Sequence, residues 1–485
     1  MLFNSFEYAV FFAVTLALYF RLGLRARWPI LLVASYIFYM GWQPLFVLLL
    51  MFSTLVDYIG GLVIDRAQRN STRKLALCMS VGVNLSLLGV FKYYNFFLRN
   101  VTSFGHAFGY DLQFIYINVI LPVGISFYTF QSLSYTFDVY ARKLRAQPNL
   151  FRYALYVAFF PQLEAGPIER AARFVPQLQT DKTADPGRFR SGLWLIGYGL
   201  FKKMCISDVI APAVVAIYAQ PKTFPGSYLL IASFLFAIQI YCDFSGYSDI
   251  AIGCARMLGF DLMINFQQPY FSRSLTEFWR RWHISLSTWF RDYVYFPLGG
   301  SKRSVLRSIR NIMIVFALSG VWHGAAWTFI IWGGLHGMIL CLERVGAIAL
   351  RNNGIFGWSG GSAAAQFLGG AVGLIWTNLI VLLGWVFFRA QSLQDADYIL
   401  GHMLRLGAIS YSTFKNIGFA SFEILLTCVH LSILFAVDYM TRFRTDALRR
   451  LGANRLIAVS VAVALFYDII MFGVFEKKDF IYFQF

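Results

Sequence analysis

The sequence predicts an all-α membrane protein, a polytopic bundle of transmembrane helices. Of the 485 residues, 58% are hydrophobic and 14% are charged, and the mean hydropathy is +0.59. Soluble domains carry about 25% charged residues, so this chain could not cover a folded surface with solvated groups. A cytosolic enzyme, a disordered scaffold and a coiled coil are therefore excluded. Apolar stretches near the roughly 20 residues of one crossing predict about eleven or twelve crossings, some of them short or re-entrant.

The net charge of +18 fits a protein that is oriented in a lipid bilayer. Lys and Arg number 42 against 24 Asp and Glu, and in a soluble protein this excess would indicate nucleic acid. Here the basic residues gather in short loops between apolar runs, where positive charge marks the cytoplasmic side. These loops are 65–74, 142–152, 170–190, 273–310 and 442–455. We therefore expect contact with lipid and no nucleic-acid partner.

The first apolar run, residues 1–20, is predicted to be a retained span. It has no basic region before it and no small-residue cleavage site, so a signal peptide is not expected. Its only early charge is Glu7, whereas Arg21, Arg25 and Arg27 follow it. The N-terminus is therefore predicted to face away from the cytoplasm.

A segment too polar to cross lies at 271–310. From Ser274 to Gly300, aromatic and aliphatic residues recur at intervals of three and four, which predicts one amphipathic helix at the membrane surface. Ser274 and Glu277 fit a capping box at its start, and Pro297 ends it.

The polar face of this predicted helix carries Arg280, Arg281 and Arg291. Contact with lipid head groups explains these arginines as well as the binding of an anionic ligand does, and both interpretations remain open. His283 lies on the same helix, where it is either functional or simply packed among tryptophans.

The run from Ile312 to Leu342 contains no Asp, Glu, Lys or Arg. As one straight helix it would span about 46 Å, too long for a hydrocarbon core of about 30 Å, and it is too short for two full spans. Gly320 and Gly324 predict a break, and Gly333–Gly334 a second one. The region 312–342 is therefore expected to be a broken helix, buried in protein or lining a cavity.

His323 lies within the first predicted break. An ionisable residue at membrane depth is a functional-site hypothesis by default, and a buried structural histidine is the alternative. His336 follows thirteen residues later, about 140° around a continuous helix, so it need not share the site.

Other polar residues also interrupt apolar runs. Asp243 and Asp249 stand at the end of a span with no cation nearby in the sequence, so they form either a structural network or the wall of a passage. Glu164 and Glu169 flank Gly166–Pro167, a pair that predicts a turn.

Signatures of several enzyme classes are missing from the sequence. It has no GxxxxGK[ST], GxGxxG after a strand or HExxH motif, which argues against nucleotide hydrolysis, dinucleotide redox chemistry and zinc proteolysis. The six cysteines form no CxxC pair, so neither a disulfide framework nor a metal site is expected.

Six segments in one order resemble the membrane-bound O-acyltransferases, and within them the branch of the bacterial alginate O-acetyltransferase membrane subunit. The resemblance covers most of the chain, in LPVGISFYTFQSLSYTFDVY (121–140), FFPQLEAGPIER (159–170), DFSGYSDIAIGCARMLGF (243–260), FWRRWHISLSTWFRDYVYFPLGG (278–300), SGVWHGAAWTFIIWGGLHG (319–337) and FIYFQF (480–485). It implies a single transmembrane domain over residues 1–485, with a funnel or tunnel and an acyl-transfer centre near its middle. By motif match, the central histidine of the family falls on His323 and its second position on His283.

The resemblance also implies the chemistry. A thioester donor such as acetyl-CoA approaches from the cytoplasm of a bacterial inner membrane, no cofactor is held permanently, and the N-terminus is periplasmic. A hydroxyl acceptor on a polysaccharide approaches from the other side, with a periplasmic partner of the SGNH-hydrolase type. His323 is expected to act as the base and His283 to position the thioester or tune His323. Arg280, Arg281 and Arg291 would bind the phosphates of CoA, and the aromatic C-terminus would dock the partner.

Two other classes remain as alternatives. A proton-coupled transporter or channel also has broken helices and intramembrane histidines, but no inverted repeat is evident. A non-catalytic scaffold of a polysaccharide export complex would give no reason for a histidine inside a glycine-broken span.

Overall fold

A computed structural model describes residues 1–117, 120–164, 166–301, 304–352, 363–476, 478 and 480–484. Within these ranges all regular elements are helices, which confirms the predicted all-α class. The chain forms two compact units. Unit 1 comprises Met1–Ile196, Tyr247–Met263 and Tyr482–Phe485, and unit 2 comprises Gly197–Gly246 and Ile264–Ile481.

Among the described residues, eight helices are long and apolar enough to cross a membrane, which confirms a polytopic membrane protein. They are Phe46–Arg66, Asn70–Ala107, Gly226–Met257, Val305–His323, Trp327–Ala349, Leu368–Arg389, Ser421–Phe443 and Arg455–Phe472. The predicted eleven or twelve crossings include shorter apolar helices, such as those at Phe6–Arg21 and Leu24–Met40, which have 16 and 17 residues. That larger count stays a prediction.

Unit 1 begins with long helices and continues through short ones. Its helices are α1 (Phe6–Arg21), α2 (Leu24–Met40), α3 (Phe46–Arg66), α4 (Asn70–Leu88), α5 (Tyr94–Ala107), α6 (Ile125–Tyr140), α7 (Leu150–Ala158), α8 (Phe160–Leu163), α9 (Ala171–Phe174) and most of α10 (Pro186–Leu200). A π-helical segment, Gly89–Tyr93, joins α4 to α5. The last part of α12 (Gly226–Met257) also belongs to this unit.

A buried polar network holds α3, α4 and α6 together. The Asp57 carboxylate accepts hydrogen bonds from Ser80 Oγ and from Asn84 Nδ2, the latter at 2.8 Å, and Ser80 Oγ lies 3.3 Å from Thr136 Oγ1. Asp57 and Asn84 are fully buried. Because buried polar groups cost free energy unless they are hydrogen-bonded, this network accounts for polar residues inside apolar helices.

The chain bends at Gly166 in unit 1, after α8, where the Gly166–Pro167 pair predicted a turn. At Gly166 a Cβ atom would lie 2.3 Å from Gln162 Cα, so the turn requires glycine. Glu169 is fully buried, and its Oε2 accepts a hydrogen bond from Met263 N at 2.8 Å. Burial raises the pKa of Glu169, while Arg173, at 3.9 Å, acts in the opposite direction. Glu169 therefore joins this turn to the segment after α12.

Unit 2 begins with a π-helical segment, Phe201–Ser207, which we call the π segment. Its helices are α11 (Asp208–Ala219), most of α12, α13 (Leu275–Trp279), α14 (Ile284–Phe290), α15 (Val305–His323), α16 (Trp327–Asn352), α17 (Ala363–Arg389), α18 (Leu393–His402), α19 (Tyr411–Asn416), α20 (Ser421–Phe443), α21 (Thr445–Ala453) and α22 (Arg455–Phe472).

The region 312–342 differs from the predicted single broken span. The first break is where it was expected, because α15 ends at His323 and α16 begins at Trp327. Both helices are nevertheless long enough to span, since α15 starts before Ile312 and α16 continues beyond Leu342 into charged residues. The second break is wrong, because α16 runs through Gly333–Gly334 without interruption.

Glycines allow α15 and α16 to pack closely. At Gly320 a Cβ atom would lie 2.4 Å from the carbonyl oxygen of Phe329, and at Gly333 it would lie 2.3 Å from that of Phe316. Any larger residue at either position would force the backbones apart. These glycines therefore serve helix packing, and close packing sets the position of His323.

Candidate active site

His323 lies at the C-terminal end of α15, enclosed by aromatic rings. It is 4% exposed, and its ring centroid lies 4.8 Å from Trp322, 4.9 Å from Trp332 and 5.2 Å from Phe388. These rings come from α15, α16 and α17, so three helices of unit 2 form the enclosure. Gly324 follows in extended backbone (φ −164°, ψ 157°) and ends the helix at this point.

His283 lies at the junction of α13 and α14, where the predicted continuous helix does not form. α13 ends at Trp279, and His283 is the N-cap of α14, with its backbone in the left-handed conformation (φ 43°, ψ 54°). Asn265 holds this junction, since its carbonyl oxygen accepts from Ile284 N at 3.0 Å and its Oδ1 accepts from Ser285 Oγ at 2.7 Å. A left-handed non-glycine residue costs about 1–3 kcal/mol, and such strain clusters at functional sites.

The His283 side chain is fully buried between aromatic rings. Its ring centroid lies 4.6 Å from Phe244 and 5.9 Å from Trp322. Burial lowers the pKa of His283 to about 3, so the imidazole is neutral at physiological pH. The aromatic residues of the 271–310 segment also pack against protein, since Trp282, Leu286 and Trp289 are at most 4% exposed.

Trp322 brings the two predicted site histidines together, because both imidazole rings contact its indole. We call His283, His323 and the three rings Trp322, Trp332 and Phe388 the aromatic centre. His336 lies beyond it, with its ring centroid 5.1 Å from Trp332. The indole Nε1 of Trp279 donates a hydrogen bond to His336 Nδ1 at 3.3 Å. His336 is thus one ring away from His323.

The three predicted phosphate-binding arginines have different surroundings. Arg280 is exposed. Arg281 donates to Glu277 Oε1 at 3.0 Å and to the carbonyl oxygen of Gln267 at 2.9 Å, and Arg291 pairs with Asp292 at 2.8 Å.

A buried ionic cluster in unit 2 was not predicted from the sequence. Lys203 in the π segment lies 2.9 Å from Asp208 Oδ1 and 2.6 Å from Asp243 Oδ1, and all three side chains are at most 3% exposed. We call these three residues the ionic cluster. For Asp243 the sequence left open a structural network or the wall of a passage, and the structure gives it an ion pair with Lys203, 40 residues earlier in the chain. The sequence feature that could have indicated this cluster is the Lys202–Lys203 pair inside an apolar run.

The C-terminal aromatic strip begins as a buried segment rather than an exposed docking surface. Phe480 is fully buried and packs on Phe244 at 5.3 Å, and Ile481 N donates to Asp243 Oδ2 at 2.7 Å. These two residues of the predicted docking strip are therefore part of the interior of unit 2, and docking of a partner by the strip stays a prediction. Phe485 lies outside the described residues.

Comparison with known proteins gives the family. The model of the membrane-bound O-acyltransferase family (MBOAT) matches residues 70–383, a range that includes both histidines of the aromatic centre. The probable alginate O-acetylase AlgI of Pseudomonas putida is 42% identical over 82% of this chain and 79% of its own length. The AlgI protein of Pseudomonas aeruginosa is 40% identical, with coverages of 86% and 77%. The peptidoglycan O-acetyltransferase of Helicobacter pylori is 35% identical, with coverages of 81% and 77%.

The fold and the comparisons together define the class of this protein, a polytopic membrane enzyme that transfers acyl groups. The chain belongs to the membrane-bound O-acyltransferase family. This confirms the resemblance seen in the sequence and favours the enzyme over the transporter and scaffold alternatives.

Proposed function

We propose that this enzyme takes an acetyl group from cytoplasmic acetyl-CoA and passes it across the bacterial inner membrane for O-acetylation of a polymer. The observation that carries the proposal is His323, placed at the break between two span-length helices and enclosed by three aromatic rings. The names of the relatives support the acetyl group and an acceptor such as alginate or peptidoglycan. An exopolysaccharide like alginate is our first candidate because the most similar of the three compared relatives carries that name.

In the proposed reaction His323 is the general base. The acceptor hydroxyl donates a hydrogen bond to the neutral imidazole, which takes the proton as the oxygen attacks the thioester carbonyl. The carbon–sulfur bond then breaks, and the CoA thiolate leaves with the proton that His323 releases. His283 positions the thioester, with Trp322 between the two histidines.

The basic segment 273–310 is the proposed entry side for the donor. Arg280 is our first choice for binding a CoA phosphate because this residue is exposed. Arg281 and Arg291 already form ion pairs with carboxylates of the protein. The N-terminus would then be periplasmic. A periplasmic partner of the SGNH-hydrolase type would complete transfer to the polymer.

Turnover of labelled acetyl-CoA tests the proposal. Wild type, His323→Ala and His106→Ala would be purified in nanodiscs, with CoA release and label on an added acceptor or partner as readouts. General-base catalysis contributes about 10²- to 10⁴-fold, so His323→Ala is expected to lose turnover by that factor. His106 is a matched control because it is an exposed histidine at the end of α5, with a 58% exposed side chain.

Normal turnover in His323→Ala would remove His323 from the reaction and make His283→Ala the next variant. A wild type that transfers acetyl from no donor, with or without a partner, would contradict the proposed acetyl-CoA reaction.

A further inference from the structure

A histidine–aspartate pair lies in unit 2 outside the aromatic centre. His430 of α20 is 1% exposed, and its Nε2 lies 3.0 Å from Oδ1 of Asp468 in α22. Both helices are candidate membrane spans. Neither residue takes part in the proposed acyl transfer. An intramembrane ionisable pair is costly and calls for a functional explanation.

The other imidazole nitrogen identifies where one proton lies. His430 Nδ1 is 3.0 Å from the backbone carbonyl oxygen of Cys205, in the π segment. A carbonyl oxygen only accepts hydrogen bonds, so Nδ1 must carry a hydrogen to make this contact. In a neutral imidazole Nε2 would then be a bare acceptor, facing a carboxylate that is also an acceptor. The 3.0 Å contact therefore needs one further proton, on Nε2 or on the Asp468 carboxyl.

We propose that His430 and Asp468 share this extra proton, so that the pair is a proton-binding site with no net charge. The alternative, a neutral histidine beside an ionised aspartate, would leave a net negative charge on the half-buried Asp468 carboxylate, next to the fully buried imidazole of His430. Among the residues that the structure describes, Asp468 Oδ2 has no hydrogen-bond partner that would stabilise such a charge.

The charged groups around the pair do not replace the proton. In the π segment, Lys203 bridges Asp208 and Asp243, and Lys202 donates to Ser245 Oγ at 2.9 Å. The titratable group of that segment next to the pair is the Cys205 thiol, 4.0 Å from the carbonyl oxygen of Asp468.

On α20 itself, Asp438 accepts a hydrogen bond from the Tyr241 hydroxyl at 2.7 Å. The Phe201 ring packs edge-on against His430 at 5.3 Å and shields the imidazole from solvent. Among the described residues, the ion pair of Asp468 is with His430, and in the proposal the extra proton keeps this pair without net charge.

The shared proton has a structural consequence for the π segment. His430 donates to Cys205 and binds Asp468, so one imidazole joins α20 and α22 to the segment that carries Lys203. π-helical turns such as this segment are frequently found at functional sites. Their backbone carbonyl groups need hydrogen-bond partners other than those of a regular α-helix. The protonated pair thus anchors the element on which the ionic cluster is built.

Nuclear magnetic resonance of the imidazole nitrogens tests the proposal directly. The full chain would be labelled with ¹⁵N-histidine and studied in nanodiscs at neutral pH. With six histidines in the chain, the signal that His430→Gln removes is that of His430. We expect either two protonated nitrogens, or a protonated Nδ1 together with a carboxylic-acid infrared band that Asp468→Asn removes. Asp468→Asn should leave a neutral ring with its proton on Nδ1, because the asparagine amide can donate to Nε2.

Two results would overturn the proposal. One is a neutral ring with its proton on Nε2, and the other is a protonated Nδ1 beside an ionised carboxylate with no acid band. If His430→Gln does not fold, the His430 signal is the one that Asp468→Asn shifts. These spectra do not depend on catalytic turnover. The proton assignment would therefore stand even if the proposed acetyl transfer were disproved.

Discussion

Unit 2 buries polar side chains in two different ways. In the aromatic centre, His283 and His323 are enclosed by rings, and burial lowers the pKa of His283. In the ionic cluster, Lys203 is buried to the same extent but lies between two carboxylates. Both regions are inside the protein, yet the first is lined by aromatic rings and the second is held by ion pairs.

The difference teaches what each region can do. A neutral histidine imidazole can take a proton from a substrate in general-base catalysis. A lysine held by two carboxylates cannot give up its proton cheaply, because that would leave unbalanced buried charge. We therefore assign chemistry to the aromatic centre and architecture to the ionic cluster. Three predictions test this comparison, in order of expected effect.

The largest effect on stability is expected from Lys203→Met. The change leaves Asp208 and Asp243 buried without their cation, and breaking a buried pair costs about 3–5 kcal/mol. The thermal unfolding midpoint of purified protein in detergent measures this loss. Adding Asp243→Asn to the same chain should restore part of it, since one of the two uncompensated charges is removed. A Lys203→Met protein as stable as wild type would show that the cluster does not depend on charge balance.

Close packing of α15 against α16 should determine the position of His323, and Gly320→Ala tests this. The new Cβ would meet the Phe329 carbonyl at 2.4 Å, so α15 and α16 must separate. Overpacking costs about 1–3 kcal/mol, and turnover should fall as His323 moves. Gly334→Ala is the matched control, because a Cβ there meets no atom within 4 Å in the described structure. Helix propensity even favours alanine at that position. Equal behaviour of the two variants would contradict the assigned role of Gly320.

The aromatic centre should also make stability depend on pH. The pKa of His283 is about 3 in the fold, against an ordinary value of 6.5. Below 6.5 the unfolded chain therefore binds a proton that the folded chain does not, and the free energy of unfolding falls as the pH falls. At about pH 5 this amounts to ~2 kcal/mol.

The measurement is the unfolding midpoint of wild type and His283→Gln from about pH 7 to pH 5. The variant should lose less stability over this range, because glutamine does not titrate. Parallel curves for the two proteins would mean that His283 is solvated or already protonated in the fold.

Local sequence features predicted much of the molecule. Composition was sufficient to predict the all-α membrane class. The length of the uncharged run 312–342, together with Gly320 and Gly324, was sufficient to predict the break at His323. The same reasoning failed at Gly333–Gly334, because glycine in a helix signals either a break or a close approach of another helix. The neighbouring backbone of α15, not the local sequence, decides between the two.

The junction at His283 was missed for a related reason. Intervals of three and four between aromatic residues are typical of one continuous helix, and they fit 274–300 well. The helix breaks where Asn265, in a separate segment, accepts hydrogen bonds from Ile284 N and Ser285 Oγ. No window of residues around His283 contains that information.

By itself, the sequence determined that this chain is a helical membrane protein, that its basic loops share one predicted side, and that His323 is anomalous. Each of these follows from the composition or the order of nearby residues, because burial in lipid acts on every stretch of the chain. The tertiary structure alone decided that Lys203 pairs with Asp243 and that His430 pairs with Asp468. Hydrogen bonds and ion pairs act over about 3 Å of space, whatever the separation along the chain.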